Sequence, residues 1–159
     1  MNHICVAHRS SKFIEEKHLV LLVDGDPLDV LLSREIPTIE DIEGLIPTLL
    51  DWLSDDKEQA LVWDRALPPE GTRANFPVLM CPDDLDLWCT VIVVEVESSA
   101  EKVTWRRFGI DATDFQSDSR AKCGDGVKWA AGPGPFVFQR DVYEECLDVF
   151  RQEINKASA

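Results

Sequence analysis

Carboxylates are the residues with which this chain could do most of its chemistry. Its 159 residues include 30 Asp and Glu against 16 Lys and Arg, a formal net charge of −14 at pH 7. There are 11 acids and 2 bases between Asp24 and Glu58, and 9 acids and 3 bases between Asp83 and Asp118. A net charge this far from zero acts on solubility and on the choice of partner. The pattern therefore indicates a cationic partner, or a surface that only keeps the molecule in solution.

Nucleophilic catalysis finds little support in the histidines and cysteines. All three histidines, His3, His8 and His18, precede the first predicted turn, so a base on any later element has to be a carboxylate or a lysine. The five cysteines show no CxxC spacing, which fits reduced and mostly buried thiols. We therefore expect a protein that is not an enzyme. The alternative is a small enzyme that uses carboxylates, or Cys89 as its nucleophile.

Metal and cofactor motifs are weak throughout the sequence. Residues 24–27 (Asp-Gly-Asp-Pro) mimic a magnesium-binding DxD motif, but the proline favours a turn. Cys81 and Cys89 lie eight residues apart without a nearby histidine, which is a poor ligand set for zinc. The acids within residues 83–86 lack the oxygen spacing of an EF-hand and are expected in a solvated loop. Because no Gly-rich loop follows a strand and opens a helix, we expect no cofactor and no metal.

Nucleic acid and membrane are disfavoured as direct partners. Binding to phosphates needs several bases that displace counterions, and the bases here are diluted among acids. The first twelve residues contain no apolar run of signal-peptide length, and no window approaches the roughly 18 apolar residues of a membrane span. We therefore expect a cytoplasmic protein.

The first half of the chain predicts a hairpin followed by a helix. Two apolar runs within residues 18–32 flank the turn at residues 24–27, which is typical of a β-hairpin. Apolar residues then recur at steps of three and four over residues 39–55, with Thr38 as the expected N-cap. Gly44 and Pro47 interrupt this pattern, so we expect a kink or two short helices. The acids after residue 50 would lie at the carboxyl end of this helix, where they are mildly unfavourable.

The second half predicts a sheet and a closing helix, together with a long loop. Residues 59–63 suggest a strand, and the β-branched run within 88–97 is the clearest strand signal. Apolar residues at helical spacing, with acids first and bases last, predict a helix over 140–155. We therefore predict one α+β domain over residues 1–159, with a mobile loop around 111–126 and an antiparallel sheet of residues 18–32, 77–81, 88–97 and 102–108.

Residues 134–144 (GPFVFQRDVYE), with Val103 to Phe108 and the run Val78 to Cys81, resemble a family of small bacterial cytoplasmic proteins with a domain of unknown function, which we regard as immunity-protein-like. The similarity covers roughly the latter half of the chain. It implies a fold of hairpin, cysteine-bearing strand, Val-x-Trp strand and closing helix. Residues 82–87 depart from the family pattern, so the resemblance transfers neither a metal site nor a catalytic residue.

These observations lead to a hypothesis about function. We predict a non-enzymatic intracellular binding protein that neutralises a basic partner, such as a nuclease toxin, because an acidic patch speeds encounter with a cationic site. A regulatory or structural subunit is the further alternative. Trp52 is included because aromatic residues dominate interface energetics, although core packing is the simpler expectation for each of the five tryptophans. The predicted partner-binding residues are Asp51, Trp52, Asp55, Asp56, Asp83, Asp84 and Asp86.

Overall fold

The computed structural model describes residues 1–158, with side chains as far as residue 156. Within this range, two antiparallel sheets and three helices confirm the predicted α+β class. The strands are β1 (Ile4–Ser11), β2 (Ile14–Val23), β3 (Asp26–Pro27), β4 (Ile46–Pro47), β5 (Arg73–Met80), β6 (Val91–Ser98), β7 (Lys102–Asp111), β8 (Val127–Trp129) and β9 (Phe136–Gln139). The helices are α1 (Leu28–Glu35), α2 (Asp56–Ala66) and α3 (Arg140–Ser158).

The first sheet has the order β1-β2-β3 and is separate from the larger one. The prediction of a hairpin within residues 18–32 is therefore wrong for its second strand. The prediction that residues 18–32 belong to the same sheet as the later strands is also wrong. The long partner of β2 is β1, whose polar residues near the hairpin tip hid the strand signal. The second apolar run is helix α1, which follows Pro27 at the N-cap position. Leu28, Leu31 and Leu32 bury one face of that helix.

The helix predicted over residues 39–55 is absent. Asp41 and Gly44 have φ values of 61° and 103°, which lie outside the helical region, and Ile46–Pro47 forms the short strand β4 beside β5. The left-handed φ of Gly44 disfavours any other residue there, and a Cβ atom would lie 2.5 Å from the exposed Phe13 ring, which would have to move. The apolar residues of the segment are nevertheless in the core: Ile42, Leu45, Ile46, Leu49, Leu50 and Leu53. The pattern thus identified buried residues correctly but not their backbone conformation.

Helix α2 occupies the region where a strand was predicted over residues 59–63. Asp55 is its N-cap, and the carboxylate accepts a hydrogen bond of 2.7 Å from the backbone N–H of Lys57. Asp56 and Glu58 lie in the first turn. Because the amino end of a helix carries partial positive charge, these acids stabilise the helix instead of opposing it. The expectation that they lie at an unfavourable carboxyl end is wrong for this reason.

The larger sheet has the order β4-β5-β6-β7-β8, with β9 also paired to β7. Strands β5, β6 and β7 include most of the predicted strands at 77–81, 88–97 and 102–108. Val91, Ile92, Val93 and Val94 are all fully buried, so both faces of this part of β6 are covered. Helix α3 confirms the helix predicted from residue 140. Among the described residues, no helix is long and apolar enough to cross a membrane.

A buried tyrosine joins the helices to the sheet. The Tyr143 hydroxyl donates a 2.6 Å hydrogen bond to the Ala66 carbonyl at the end of α2, and it accepts a 3.3 Å hydrogen bond from Trp105 Nε1 in β7. Tyr143 lies on α3 and, like Trp105, is almost entirely inaccessible to solvent. Burial raises the pKa of Tyr143, so the group stays a neutral donor. One hydroxyl therefore links α2, α3 and the sheet.

We expect Tyr143→Phe to lower the free energy of unfolding by about 1 to 3 kcal/mol, because it leaves the Ala66 carbonyl and Trp105 Nε1 without their partner. Urea unfolding followed by tryptophan fluorescence measures the change. The slope of the unfolding free energy against urea concentration has to be the same in both proteins for the loss to be assigned to the native state. A loss below about 0.5 kcal/mol contradicts the assigned role.

The variant Asp55→Ala distinguishes the observed helix α2, which begins after Asp55, from the predicted helix over residues 39–55, which would end there. Removing the N-cap of α2 should destabilise the protein by about 1 kcal/mol, whereas removing an acid at a carboxyl helix end would be neutral or stabilising. Equilibrium unfolding measures the difference. The control is Asp55→Asn, which keeps the capping oxygen and should retain most of the stability. Equal losses in both variants would count against the cap.

Candidate functional site

A cleft of about 580 Å³ lies between α2 and two loops. One loop connects β5 to β6 and contributes Leu87 and Trp88. The other follows β7 and contributes Phe115 and residues 119–123. Helix α2 supplies the remaining wall through Lys57, Glu58, Ala60, Leu61, Asp64 and Arg65, after Asp55 at its N-cap. The cleft therefore depends on α2, the element that the sequence pattern misassigned.

One acid from each predicted patch lies near Glu58, which lines this cleft. Glu58 Oε2 accepts a 2.9 Å hydrogen bond from the backbone N–H of Leu87. Partial burial raises the pKa of Glu58, and the negative charges of Asp55 and Asp86 raise it further, while the Leu87 bond acts in the opposite direction. Asp55 comes from the first predicted patch and Asp86 from the second. The fold thus brings one acid of each patch to the same carboxylate.

Two aromatic residues form the rim of the cleft. Trp88 is 69% exposed, and its ring centroid lies 4.6 Å from that of Phe115. The backbone N–H of Trp88 donates a 3.0 Å hydrogen bond to Asp86 Oδ1, which fixes the loop next to the tryptophan. Core packing was the expectation for Trp88 and is wrong, because the residue lies in the loop before β6 begins at Val91. No local signal distinguished it from a strand residue.

Arg65 connects α2 to the loop after β7. Its guanidinium donates to the Cys123 carbonyl at 2.6 Å and to the Asn75 carbonyl at 3.2 Å, and it lies 3.3 Å from an Asp125 carboxylate oxygen. The cleft lining also includes Lys57, Arg120 and Lys122, so cationic and acidic groups are mixed within it. Negative charge is therefore concentrated where Glu58 meets its acidic neighbours and not over the whole cleft.

Asp51 and Trp52 lie in a separate depression of about 200 Å³. The Trp52 ring is half-buried and lies 5.4 Å from the ring of His18, so it contributes to packing. His18 Nδ1 is 3.1 Å from the Leu19 carbonyl, which can only accept a hydrogen bond, so Nδ1 carries a proton. His18 Nε2 is 3.1 Å from Ser11 Oγ. The structure therefore separates Asp51 and Trp52 from the cleft acids.

Asp56 lies in a third place, away from both of these depressions. It lines a shallow depression with Trp63 of the same helix and Arg151 of α3. The Arg151 guanidinium lies 4.8 Å from the Trp63 ring centroid, a cation–π contact between the two helices. The first predicted patch is therefore divided among three places. Of its residues, only Asp55 lines the cleft between α2 and the two loops.

The loop between β5 and β6 places Asp84 next to two cysteines. A sulfur from each of Cys81 and Cys89 and a carboxylate oxygen of Asp84 all lie within 4.8 Å of one another. A hydrogen bond with Cys81 raises the pKa of Cys89, and Asp84 contributes in the same direction. A protonated thiol is a poor nucleophile, which weighs against Cys89 in that role. Spacing along the sequence shows the two cysteines as a pair but gives no sign that the Asp84 carboxylate lies beside them.

No family model, curated protein or solved structure matches the chain. The resemblance described above therefore stays a prediction.

Glu58→Gln tests the electrostatics of the cleft through pH. Because the native pKa of Glu58 is raised above its ordinary value of 4.5, the folded state binds more protons than the unfolded state in that range. Stability contributed by this residue therefore falls as the pH rises through the raised pKa. Glutamine keeps an acceptor for Leu87 without the charge, so the variant should melt at a higher temperature than the native protein at pH 7.

That difference should disappear by about pH 4, where both states of the native protein hold the proton. Melting curves between these pH values measure it. Asp64→Asn, which removes an exposed carboxylate of the same helix, serves as the control. A difference for Glu58→Gln that is constant with pH would contradict the assigned cause.

Proposed function

We propose that this chain is a non-enzymatic binding protein whose cleft receives a basic segment of a partner protein. The observation that carries the proposal is the exposed Trp88, whose ring contacts that of Phe115 at the mouth of the cleft beside Asp86. An aromatic surface next to clustered carboxylates suits a partner segment with an apolar anchor residue flanked by Arg or Lys. The overall charge of −14 supports attraction of such a partner at long range.

The aromatic pair provides the affinity in this proposal. Interface energy is concentrated in a few residues, and tryptophan is among the most frequent of them. Trp88 has most of its surface available for burial, and its rotation is restricted by the neighbouring Phe115 ring. The Asp86 and Glu58 hydrogen bonds to the backbone hold this part of the loop in place before a partner arrives. Such preorganisation lowers the entropic cost of association.

The carboxylates provide the preference for a basic partner. Burial is the main cause of the raised pKa of Glu58, and the negative charges of Asp55 and Asp86 raise it further. A cationic group placed among these carboxylates would relieve the repulsion between them and form charge-assisted hydrogen bonds. Asp83 and Asp84 belong to the same loop and extend the negative surface. A cytoplasmic immunity protein that blocks the cationic active site of a nuclease toxin is the functional class that fits this chemistry best.

Binding of a synthetic peptide tests the cleft directly. The probe is a short Arg-rich peptide with one central Leu, compared with the same peptide carrying Gly at that position. Isothermal titration should show tighter binding of the Leu peptide, and Trp88→Ala should weaken it about tenfold or more, as expected for a residue at the centre of an interface. Asp86→Asn should weaken both peptides and reduce the dependence of binding on salt.

Glu145→Gln is the matched control, because Glu145 is an exposed acid on α3 that does not line the cleft. This variant should bind as the native protein does. Equal weakening by Glu145→Gln and Asp86→Asn would mean unspecific charge attraction, and unchanged binding by Trp88→Ala would exclude the aromatic rim. The immunity assignment itself predicts that the chain suppresses a basic nuclease encoded beside its gene, and that Trp88→Ala reduces this protection in coexpression.

A further inference from the structure

The register of β5 and β6 brings two distant thiols together. Met80 and Val91 are the last paired residues of these antiparallel strands. The chain leaves the sheet at Cys81 and returns through Cys89, so both cysteines lie at the base of the connecting loop. Their sulfur atoms lie within 4.8 Å of each other. The pairing of the two strands therefore brings together cysteines that lie eight residues apart in the sequence.

Asp84 completes a set of three donors over this base. The loop reverses at Leu85, which has a left-handed φ of 53°. This reversal directs the chain back, and a carboxylate oxygen of Asp84 lies within 4.8 Å of both sulfur atoms, which are themselves within 4.8 Å of each other. Asp84 and Cys89 are exposed and Cys81 is half-buried, so an ion can reach the donors from solvent.

We propose that Cys81, Asp84 and Cys89 bind one zinc ion, with water as the fourth ligand. Zinc takes four tetrahedral ligands at about 2.3 Å for sulfur and 2.0 to 2.2 Å for oxygen, which places ligand atoms roughly 3.5 to 3.8 Å apart. The three donor atoms, which lie within 4.8 Å of one another, therefore have to approach by about 1 Å at most to complete the site. Exposed side chains can move by this amount. Both thiols release their protons when the ion binds.

The donor types select a soft cation. Two thiolates favour zinc over calcium and magnesium, which prefer sets of oxygen ligands. The bound ion would join the two ends of the loop that carries Trp88. Asp84 also belongs to the negative surface of the proposed partner site, but binding of the ion requires no partner and no residue of the aromatic rim.

The experiment titrates the reduced full-length protein with Co²⁺ and then with Zn²⁺. Thiolate ligation should produce sulfur-to-cobalt charge-transfer absorption at one ion per chain, together with the visible bands of tetrahedral cobalt. Zn²⁺ should remove both signals, and an excess of Ca²⁺ or Mg²⁺ should not. Release of protons into a weakly buffered solution provides an independent readout.

Matched variants identify the ligands. Cys81→Ser and Cys89→Ser should abolish the charge-transfer bands, and Asp84→Asn should weaken cobalt binding at least about tenfold, taking the loss typical of outer-shell groups as a lower bound. Cys5→Ser, at a half-buried thiol outside the cluster, and Asp83→Asn, at the adjacent exposed acid, should bind as the native protein does. Circular dichroism verifies that each variant is folded.

Absence of the charge-transfer bands in the native protein would overturn the proposal. So would bands that persist in both cysteine variants, since the ion would then bind elsewhere. A loss in Asp83→Asn equal to that in Asp84→Asn would exclude the assigned oxygen ligand. None of these results depends on a peptide or protein partner, so failure here is distinguishable from failure of the proposed cleft.

Discussion

The Tyr143 hydroxyl is the interaction on which the arrangement of this fold depends most. It is buried, it donates to the last turn of α2, and it accepts from Trp105 in the sheet. A buried hydroxyl without partners is costly, so the three elements have to meet in one geometry to satisfy it. The aromatic neighbours reinforce this geometry, because Trp105 makes edge contacts with Phe108, Phe138 and Tyr143. The position of α2, and therefore the cleft, follows from this junction.

The cleft combines a rigid wall with two connecting loops. Asp55 begins α2, Glu58 holds the β5–β6 loop through Leu87, and Arg65 holds the loop after β7 through Cys123. Glu58 and Arg65, two residues of one helix, thus attach both loops to the same scaffold. Sites built on a regular element are more precise than those formed by loops alone. This explains how a loop can present an exposed tryptophan in a defined position.

The charge of the molecule has different consequences at different places. Along β6 and β7, Glu95 and Glu97 form ion pairs with Arg106 and Arg107 on the exposed part of the sheet. At the cleft, Glu58 instead lies among like charges, and its pKa is raised. A surface carboxylate paired with arginine is a solvated structural feature. The carboxylates near Glu58, which form no such pair among the described residues and lie beside an aromatic rim, are the basis of the proposed site for a cationic partner. The same residue type therefore gives no functional information until its neighbours are known.

Local patterns accounted for the elements whose stability is local. The β-branched run of β6 and the charge order of α3 predicted these elements, since side-chain shape and the helix dipole act over a few residues. Burial of the segment containing Ile42 and Leu49 was also readable, but its conformation was not. The spacing of the apolar residues shows which of them are buried. The backbone conformation instead depends on Gly44, where a side chain would displace the Phe13 ring, and on the pairing of β4 with β5.

The chemistry of the surface was decided by tertiary structure. Contact of Glu58 with Leu87 spans 29 residues, and the meeting of Cys81 with Cys89 depends on a strand register. Exposure of Trp88 depends on β6 beginning three residues later. Composition alone established that the chain is strongly acidic and has enough apolar residues for a core. Which acids gather, and beside which aromatic and sulfur groups, follows from long-range contacts that no local spacing encodes.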